Sequence, residues 1–266
     1  MKKIFASDLD QTLIYSKKFL EGLSDEEKKH IVMVEDKSED IRSFMSSRTA
    51  EKIKKYMEKN IFIPATTRTI EQFRRIFIFQ NELYSKYAVV SNGGNIIVDG
   101  VVDREWNETI LKKIKDECIA KEEIIKKFSE IRDNSWSSEY KEADDLFYYF
   151  IVNPEIYPAE KMKSFEKWLN ENGWMLSLQK RKLYMIPKVV DKQHAVKYIA
   201  EKEGVNYICS AGDSKLDFKM LKNSDKAVVP NHSMDIEELR RFEKKEFIFT
   251  QKNGIFSSEE ILEFIQ

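Results

Sequence analysis

The stretch Ile4-Phe-Ala-Ser-Asp8-Leu-Asp10-Gln-Thr12 runs from a short apolar segment directly into two acids. Such a segment predicts a buried strand, and ligand sites of open parallel sheets gather where the strands end. Because residues i and i+2 of an extended segment point the same way, we expect Asp8 and Asp10 to face one substrate. Two neighbouring carboxylates repel each other unless a cation is present, and Mg²⁺ prefers such oxygen ligands. An ordinary surface turn would explain the same residues, so this stretch alone leaves both interpretations open.

A second pair of acids occurs in Gly212-Asp213-Ser-Lys-Leu-Asp217, which also follows an apolar run. Here Asp213 is a candidate for completing a metal site, and Asp217 is a candidate for holding the loop. The alternative explanation is a helix cap, in which the same carboxylates accept hydrogen bonds from the first turn of a helix.

Two further polar elements lie at comparable places along the chain. Thr66-Thr67-Arg68 follows another apolar run, and a threonine hydroxyl there can donate to a phosphate oxygen. Lys192 lies in the first turn of a predicted helix, where its charge would neutralise a bound phosphate. Taken singly, a polar loop and a surface lysine explain these residues equally well, and Lys188 is a rival for the lysine role.

Strand patterns alternate with helical patterns over much of the chain, which predicts an α/β fold with a parallel sheet covered on both faces. Thr69 and Gln72 form a predicted capping box that opens one of these helices. Ser257 and Glu260 predict a second capping box at the start of the last helix. The inward residues of the first of these helices would be Ile70, Phe73 and Phe77.

The character of the sequence changes between residues 100 and 187. This block contains a long charged helix pattern, an aromatic strand, a further helix and two strands that flank Lys180-Arg181. It predicts a compact α+β insert in a core domain made of residues 1–99 and 188–266. Residues 16–46 form a second, shorter insertion of mixed charge, for which we expect a flap.

Composition excludes several classes of protein. The chain has 266 residues, 42% of them apolar, and its charged residues nearly cancel to a formal net charge of -1. Nothing in that balance indicates a nucleic-acid or membrane partner. The amino-terminal segment has no signal-peptide pattern, and the two cysteines, Cys118 and Cys209, are not spaced as metal ligands. We therefore expect a cytoplasmic protein.

The joint occurrence and order of these motifs identify the chain as a member of the haloacid dehalogenase-like (HAD) hydrolase superfamily. Its phosphatases carry Asp-x-Asp-x-Thr, then Thr or Ser, then Lys, then Gly-Asp-x-x-x-Asp. The segment Val90-Ser-Asn92-Gly93-Gly94-Asn95 resembles the Asn-Gly segment of the Cof-type and sucrose-phosphatase-like branch. The insert lies between the Thr and Lys motifs, which implies a Rossmann-like parallel-sheet core (1–99 and 188–266) with a C2-type cap (100–187). The matching residues are Asp8-Leu-Asp10-Gln-Thr12, Thr66, Lys192 and Gly212-Asp213-Ser-Lys-Leu-Asp217.

The resemblance implies a role for each of these residues. Asp8 would be the nucleophile that forms an aspartyl-phosphate, and Asp10 would be the general acid and then the general base. Mg²⁺ would bind Asp8, the backbone carbonyl of Asp10, and Asp213. Thr66 and Lys192 would hold the phosphoryl oxygens. Supporting residues would be Thr12 and Asp217, and further candidate substrate contacts would be Thr67, Arg68, Asn92 and Arg181.

Two positions depart from the pattern of the superfamily. Leu216 stands where many relatives have asparagine, and Thr67 stands where many have glycine. The expected function is a Mg²⁺-dependent phosphatase of small phosphate monoesters, with sugar phosphates favoured. A phosphomutase with the same nucleophile and a non-catalytic regulatory module are the alternatives. The intact set of acids and lysine argues against the second alternative.

Overall fold

Parallel strands form the central sheet of the protein. In the computed structural model, which describes residues 2–38, 41–233, 235–241 and 247–265, the chain forms two compact units, Met1–Val102 with Lys192–Gln266, and Asp103–Asp191. The strands, in chain order, are β1 (Ile4–Ser7), β2 (Tyr15–Ser16), β3 (Ile31–Ser38), β4 (Ile41–Ser46), β5 (Ile61–Pro64), β6 (Tyr87–Val90), β7 (Asn95–Val98), β8 (Val101–Val102), β9 (Lys141–Ala143), β10 (Phe147–Ile151), β11 (Trp174–Gln179), β12 (Lys182–Pro187), β13 (Ile208–Ala211), β14 (Lys226–Val229) and β15 (Ile248–Phe249). The helices are α1 (Asp25–Lys28), α2 (Ser47–Met57), α3 (Ile70–Arg74), α4 (Arg104–Glu117), α5 (Lys121–Ser129), α6 (Ala159–Glu171), α7 (Lys192–Glu203), α8 (Phe218–Lys222), α9 (Ile236–Arg240) and α10 (Ser257–Ile265).

The central sheet of the first unit has the strand order β15-β14-β13-β1-β5, with every neighbouring pair parallel. In β1, Ile4, Phe5 and Ala6 are fully buried, although successive side chains of a strand point to opposite faces. Both faces of this strand are therefore covered, as expected of a parallel sheet. A parallel bridge between Ala65 and Val89 places β6 beside the end of β5.

Helix α2 covers one part of this sheet because its apolar residues recur at helical spacing. Ile53 and Tyr56 are buried, and the Tyr56 ring packs edge-on against Phe5 with 6.0 Å between ring centroids. The same helix contacts α10, where the hydroxyl oxygens of Thr49 and Ser258 lie 2.7 Å apart. Helix α2 therefore joins the core of the sheet to the last helix of the chain.

The predicted capping box at the start of α3 is confirmed, whereas the predicted length of its apolar face is wrong. The Gln72 backbone N–H donates to Oγ1 of Thr69 at 3.2 Å. The helix ends at Arg74, so Phe77 lies beyond it in a separate 3-10 turn and is 40% exposed. Because the chain turns after α3, Ile76 and Phe79 are buried instead.

The predicted capping box of Ser257 and Glu260 is also wrong. The Ser257 hydroxyl donates backwards to the Gly254 carbonyl at 2.7 Å. Glu260 accepts from the backbone N–H groups of Gln251 and Lys252 at 2.8 and 2.9 Å. The glutamate therefore closes the loop after β15 rather than the first turn of α10.

The insertion at residues 16–46 forms most of a small antiparallel sheet, with the order β2-β4-β3. Tyr15 pairs with Phe44, and Met33 pairs with the same residue from the other side. This sheet belongs to the first unit and connects directly to α2.

The second unit is an antiparallel sheet with helices, in the order β11-β12-β10-β9. Its core is aromatic, as the Phe128 ring lies 4.6 Å from that of Phe150 and 5.3 Å from that of Phe165, between centroids. Lys180, at φ 55, lies in the turn between β11 and β12. A parallel-sheet core with an inserted α+β unit confirms the predicted fold class. Among the described residues, no helix has the length and apolarity needed to cross a membrane.

Candidate active site

The loop that follows β1 holds the first acid in place. The Leu9 carbonyl accepts hydrogen bonds from the backbone N–H groups of Thr12, Leu13 and Ile14 at 2.8–3.1 Å, which folds the loop into a tight turn. Within this turn the Thr12 hydroxyl donates to Oδ2 of Asp8 at 3.2 Å. The Asp8 carboxylate is therefore buried and fixed beside the end of the strand.

The neighbouring strand β13 brings the second pair of acids to the same edge of the sheet. The Asp8 N–H donates to the Ala211 carbonyl at 2.9 Å, so the two loops leave the sheet side by side. The next residue is Gly212, where a Cβ atom would lie 2.4 Å from Cβ of Asp217. Only glycine leaves room for this aspartate, whose Oδ2 accepts from the N–H and hydroxyl of Ser214 at 3.1 and 2.9 Å.

Lys192, the first residue of α7, connects the two loops. Its Nζ atom lies 2.6 Å from Oδ1 of Asp8 and 2.7 Å from Oδ1 of Asp217, and its side chain is 1% exposed. Burial by itself lowers the pKa of Lys192, but the charges of Asp217 and Asp8 outweigh it and raise that pKa above its usual value. The ammonium group therefore stays charged in the interior.

Three buried carboxylates converge at this point. One oxygen each of Asp8, Asp213 and Asp217 lies within 4.8 Å of the others. Burial raises the pKa of Asp8 to about 7, against the opposing effect of Lys192. Lys192 binds two of these three acids, Asp8 and Asp217, so the cluster carries excess negative charge when all three are ionised. An all-oxygen donor set of this kind fits a hard divalent cation such as Mg²⁺.

A third loop lies beside the cluster at the end of β5. The Thr66 N–H donates to the Val89 carbonyl at 2.8 Å, and the Asn92 N–H donates to the Thr66 carbonyl at 2.9 Å. Asn92 is buried and takes up the left-handed conformation, with φ 57. The Thr66 hydroxyl accepts from the Arg68 N–H at 3.1 Å and retains its own hydrogen for donation. Thr67 is half-buried in the same loop.

Arg68 contacts a catalytic candidate, in a way that the sequence did not predict. Its Nε and Nη2 atoms donate to Oδ2 and Oδ1 of Asp10, both at 2.8 Å. Its Nη1 atom donates to Glu35 at 2.8 Å. Burial alone lowers the pKa of Arg68, but the charges of Asp10 and Glu35 outweigh burial and raise that pKa above its usual value. The guanidinium is therefore a permanent cation held between two carboxylates.

Two other candidate residues belong to the second unit. Lys188 donates to the Asn170 carbonyl at 2.6 Å within the second unit, whereas Lys192 contacts Asp8. Arg181 lies in the turn between β11 and β12, and its carbonyl accepts from the Val152 N–H at 2.7 Å. The sequence alone does not indicate a role for Glu35, because a glutamate in a segment of mixed charge is usually exposed to solvent.

A parallel sheet that carries acids on two adjacent loops, in a chain with an inserted α+β unit, defines a HAD-type phosphohydrolase. The chain belongs to the sucrose-6F-phosphate phosphohydrolase family, whose model matches residues 1–259. It is therefore a phosphatase, a hydrolase that acts on phosphate esters. No curated protein sequence matches the chain.

Several solved structures share the fold. The sucrose-phosphatase from Synechocystis sp. PCC6803, in complex with sucrose and phosphate, has a TM-score of 0.71 at 14% identity and covers 100% of this chain and 97% of that one. A haloacid dehalogenase-like hydrolase from Bacteroides thetaiotaomicron has a TM-score of 0.61 at 17% identity and covers 100% of both chains. A HAD subclass IIB sugar phosphatase has a TM-score of 0.58 at 15% identity and covers 99% of both.

Proposed function

We propose that the protein is a Mg²⁺-dependent phosphatase of small phosphate monoesters, with sugar phosphates as its substrates, and that Asp8 is its nucleophile. The observation that carries this proposal is the convergence of Asp8, Asp213 and Asp217, two of which, Asp8 and Asp217, bind the buried ammonium group of Lys192. A carboxylate attacks phosphorus only if the charge of the phosphate is neutralised, and Lys192 together with a divalent cation held by these acids would supply that neutralisation.

The reaction we propose has two displacements. In the first, a carboxylate oxygen of Asp8 forms a bond to phosphorus, the bond to the substrate oxygen breaks, and Asp10 gives its proton to the departing alcohol. In the second, Asp10 takes a proton from a water molecule, whose oxygen bonds to phosphorus and displaces Asp8. Inorganic phosphate leaves, and both aspartates return to their starting states.

The other residues hold the phosphoryl group. Lys192 and the Thr66 hydroxyl donate to its oxygens, and Asp217 keeps Lys192 in place through the 2.7 Å ion pair. Asp8, Asp213 and the backbone carbonyl of Asp10 would hold Mg²⁺, which would neutralise the charge of the phosphate. Thr67, Arg68, Asn92 and Arg181 remain candidates for contacts with the substrate.

Relatives support the choice of sugar phosphates. The matching family is that of sucrose-6F-phosphate phosphohydrolase. Two structures that share the fold are a sucrose-phosphatase and a sugar phosphatase. We propose that the insert, residues 100–187 by its sequence pattern, acts as a C2-type cap that selects the sugar. A cytoplasmic location is part of the proposal and is supported by Cys118 and Cys209, which are both free thiols.

The test is release of inorganic phosphate from sucrose 6F-phosphate, hexose 6-phosphates, nucleotides and polyol phosphates, each with Mg²⁺ and with EDTA. We expect release from a sugar phosphate in Mg²⁺ only. Asp8→Asn should lower kcat more than about 10³-fold, since the nucleophile is lost. Asp25→Asn, at a fully exposed position, is the matched control and should keep full activity.

The same assay separates the alternatives. Interconversion of hexose phosphates with little release of phosphate would indicate a phosphomutase. Unchanged release by the Asp8→Asn variant, or full activity in EDTA, would refute the proposed mechanism.

A further inference from the structure

The insertion at residues 16–46 buries one carboxylate that the proposed mechanism does not use. Glu35, on β3, is fully buried, and its Oε2 atom accepts from the Ser43 hydroxyl at 2.7 Å. Two arginines face it: Nη1 of Arg68 lies 2.8 Å from Oε2, and Nε of Arg75 lies 3.6 Å from Oε1. A buried carboxylate is costly unless cations and hydrogen bonds compensate it, so this group is held at one position.

Arg68 connects Glu35 to the exposed end of the site. The side chain of Asp10 is 50% exposed, whereas that of Arg68 is 13% exposed. An aspartate so open to solvent would sample several rotamers by itself. The planar guanidinium bonds both of its oxygens at once, and such a paired contact fixes the orientation of a carboxylate as well as its position.

The contact with Glu35 in turn fixes the guanidinium. Nη1 is engaged by Glu35, so the opposite edge of the planar group, with Nε and Nη2, is left to face Asp10. If Glu35 lost its charge, Arg68 would keep its bonds to Asp10 but lose the anchor that sets its plane. Both side chains would then move together.

We propose that Glu35 is a positioning residue for the proposed general acid: through Arg68 it orients the carboxyl group of Asp10 toward the departing alcohol. This inference rests on the proposed function, in which Asp10 supplies that proton. For Asp10 to carry the proton, one of its two bonds to Arg68 opens, and the remaining bond keeps the carboxyl group oriented. The insertion thus contributes to the chemistry of the core, because its sheet carries Glu35 and Ser43 to the loop after β5.

A role of Glu35 in orienting the general acid can be detected by comparing substrates with different leaving groups. A sugar alkoxide is a poor leaving group and needs the proton of Asp10, whereas 4-nitrophenolate departs without it. The parameter kcat/KM includes only the steps up to departure of the alcohol, so hydrolysis of the aspartyl-phosphate does not enter the comparison. A non-specific distortion of the active site, by contrast, would lower kcat/KM for both esters to the same extent.

The experiment compares Glu35→Gln with the unaltered protein on sucrose 6F-phosphate and 4-nitrophenyl phosphate, with glucose 6-phosphate as the alkyl ester if the first is not hydrolysed. Since a general acid contributes about 10²- to 10⁴-fold, we expect kcat/KM to fall by about 30-fold for the alkyl ester and by less than about 3-fold for the nitrophenyl ester. Glu71→Gln is the matched control. It removes an 84% exposed carboxylate from Arg75, 3.3 Å away, and should change neither value.

Arg68→Lys provides a second variant in case Glu35→Gln does not fold. Lysine keeps the positive charge but lacks the planar group that bonds both oxygens of Asp10, so kcat/KM should fall more for the alkyl ester than for the nitrophenyl ester. In the double variant the two effects should not add, since both act through the orientation of Asp10.

The outcomes separate the two proposals. Equal losses for both esters, or no loss for either, would overturn the role of Glu35 and leave the phosphatase intact. No hydrolysis of any ester by the unaltered protein would overturn the proposed function, and this inference with it.

Discussion

The Nζ atom of Lys192 lies 2.6 Å from Oδ1 of Asp8, although 184 positions separate the two residues in the chain. The same atom lies 2.7 Å from Oδ1 of Asp217, so one ammonium group joins loops from two neighbouring strands. Because both carboxylates are buried, this cation stabilises the fold as well as the site.

Replacing Lys192 should therefore destabilise the protein strongly. Lys192→Met leaves two buried carboxylates without their cation, and we expect the free energy of unfolding to fall by about 3 kcal/mol in EDTA. Urea unfolding at pH 7 measures this change. Lys188→Met is the control, with a loss below about 1 kcal/mol because the bond of the Lys188 ammonium group to the Asn170 carbonyl is exposed. Equal stabilities of the two variants would contradict the structural role of Lys192.

Mg²⁺ should stabilise the folded protein through Asp213. A ligand present at one hundred times its dissociation constant stabilises the native state by about 2.7 kcal/mol, which corresponds to a rise in Tm of roughly 5 °C. We expect this shift in a thermal melt with Mg²⁺ against EDTA, and a shift below about 1 °C for Asp213→Asn. Asp116→Asn, an exposed aspartate on α4, should keep the full shift. An undiminished shift in Asp213→Asn would exclude that carboxylate as a ligand.

Gly212 should not tolerate a side chain. An added Cβ atom would lie 2.4 Å from Cβ and 2.5 Å from Cγ of Asp217. We expect Gly212→Ala to lower the free energy of unfolding by about 1–3 kcal/mol, since overpacking forces the loop to shift. The displaced Asp217 releases Lys192, so kcat/KM should fall at least about 10-fold.

Gly204→Ala separates backbone strain from this overlap. Gly204 has φ +63 and no atom within 4 Å of the added carbon. The Gly204→Ala substitution should lower the free energy of unfolding by about 1 kcal/mol, because alanine is strained in the left-handed conformation, and should leave kcat/KM unchanged. Full activity of Gly212→Ala would show that the loop adapts without moving Asp217.

Glu203 makes the stability of the first unit depend on acid pH. Hydrogen bonds from Lys86, Tyr87 and Lys2 lower its pKa from 4.5 to about 2. Since the pKa is lower in the folded than in the unfolded state, this stabilisation is fully present above pH 4.5 and is lost as the pH falls toward 2.

The Glu203→Gln variant tests that dependence. At pH 7 we expect it to be less stable by about 1 kcal/mol in urea unfolding, and the difference from the unaltered protein should shrink as the pH falls below 4.5. The control is Glu171→Gln, which removes the carboxylate of a largely exposed ion pair with Lys167. This variant should show no such trend. A difference that stays constant down to pH 3 would mean that the charge of Glu203 is not what stabilises the fold.

The sequence by itself predicted the α/β class, the inserted unit, the loops that carry Asp8 and Asp213, and the helix that begins near Lys192. These features are local: a short apolar run that ends in acids indicates a buried strand and the loop after it. The Thr69 capping box was predictable for the same reason, because its two partners are three residues apart.

Longer-range features were beyond local patterns. The periodicity that placed Phe77 inward did not show that α3 stops at Arg74. Glu260 matched a capping box in spacing, yet it bonds the backbone of Gln251 and Lys252, nine and eight positions away. Neither the end of α3 nor the bonding partners of Glu260 can be read from the spacing of residues in the sequence, because both depend on how the chain packs.

Only the tertiary structure decided which lysine contacts Asp8 and where Arg68 points. The sequence favoured Lys192 but kept Lys188 as a rival, and the fold brings Lys192 to Asp8. Glu35 and Arg68, 33 positions apart, meet because the insertion folds back as a sheet against the loop after β5. The physical reason is that burial of a charge depends on which elements pack together, and that is a property of the whole fold.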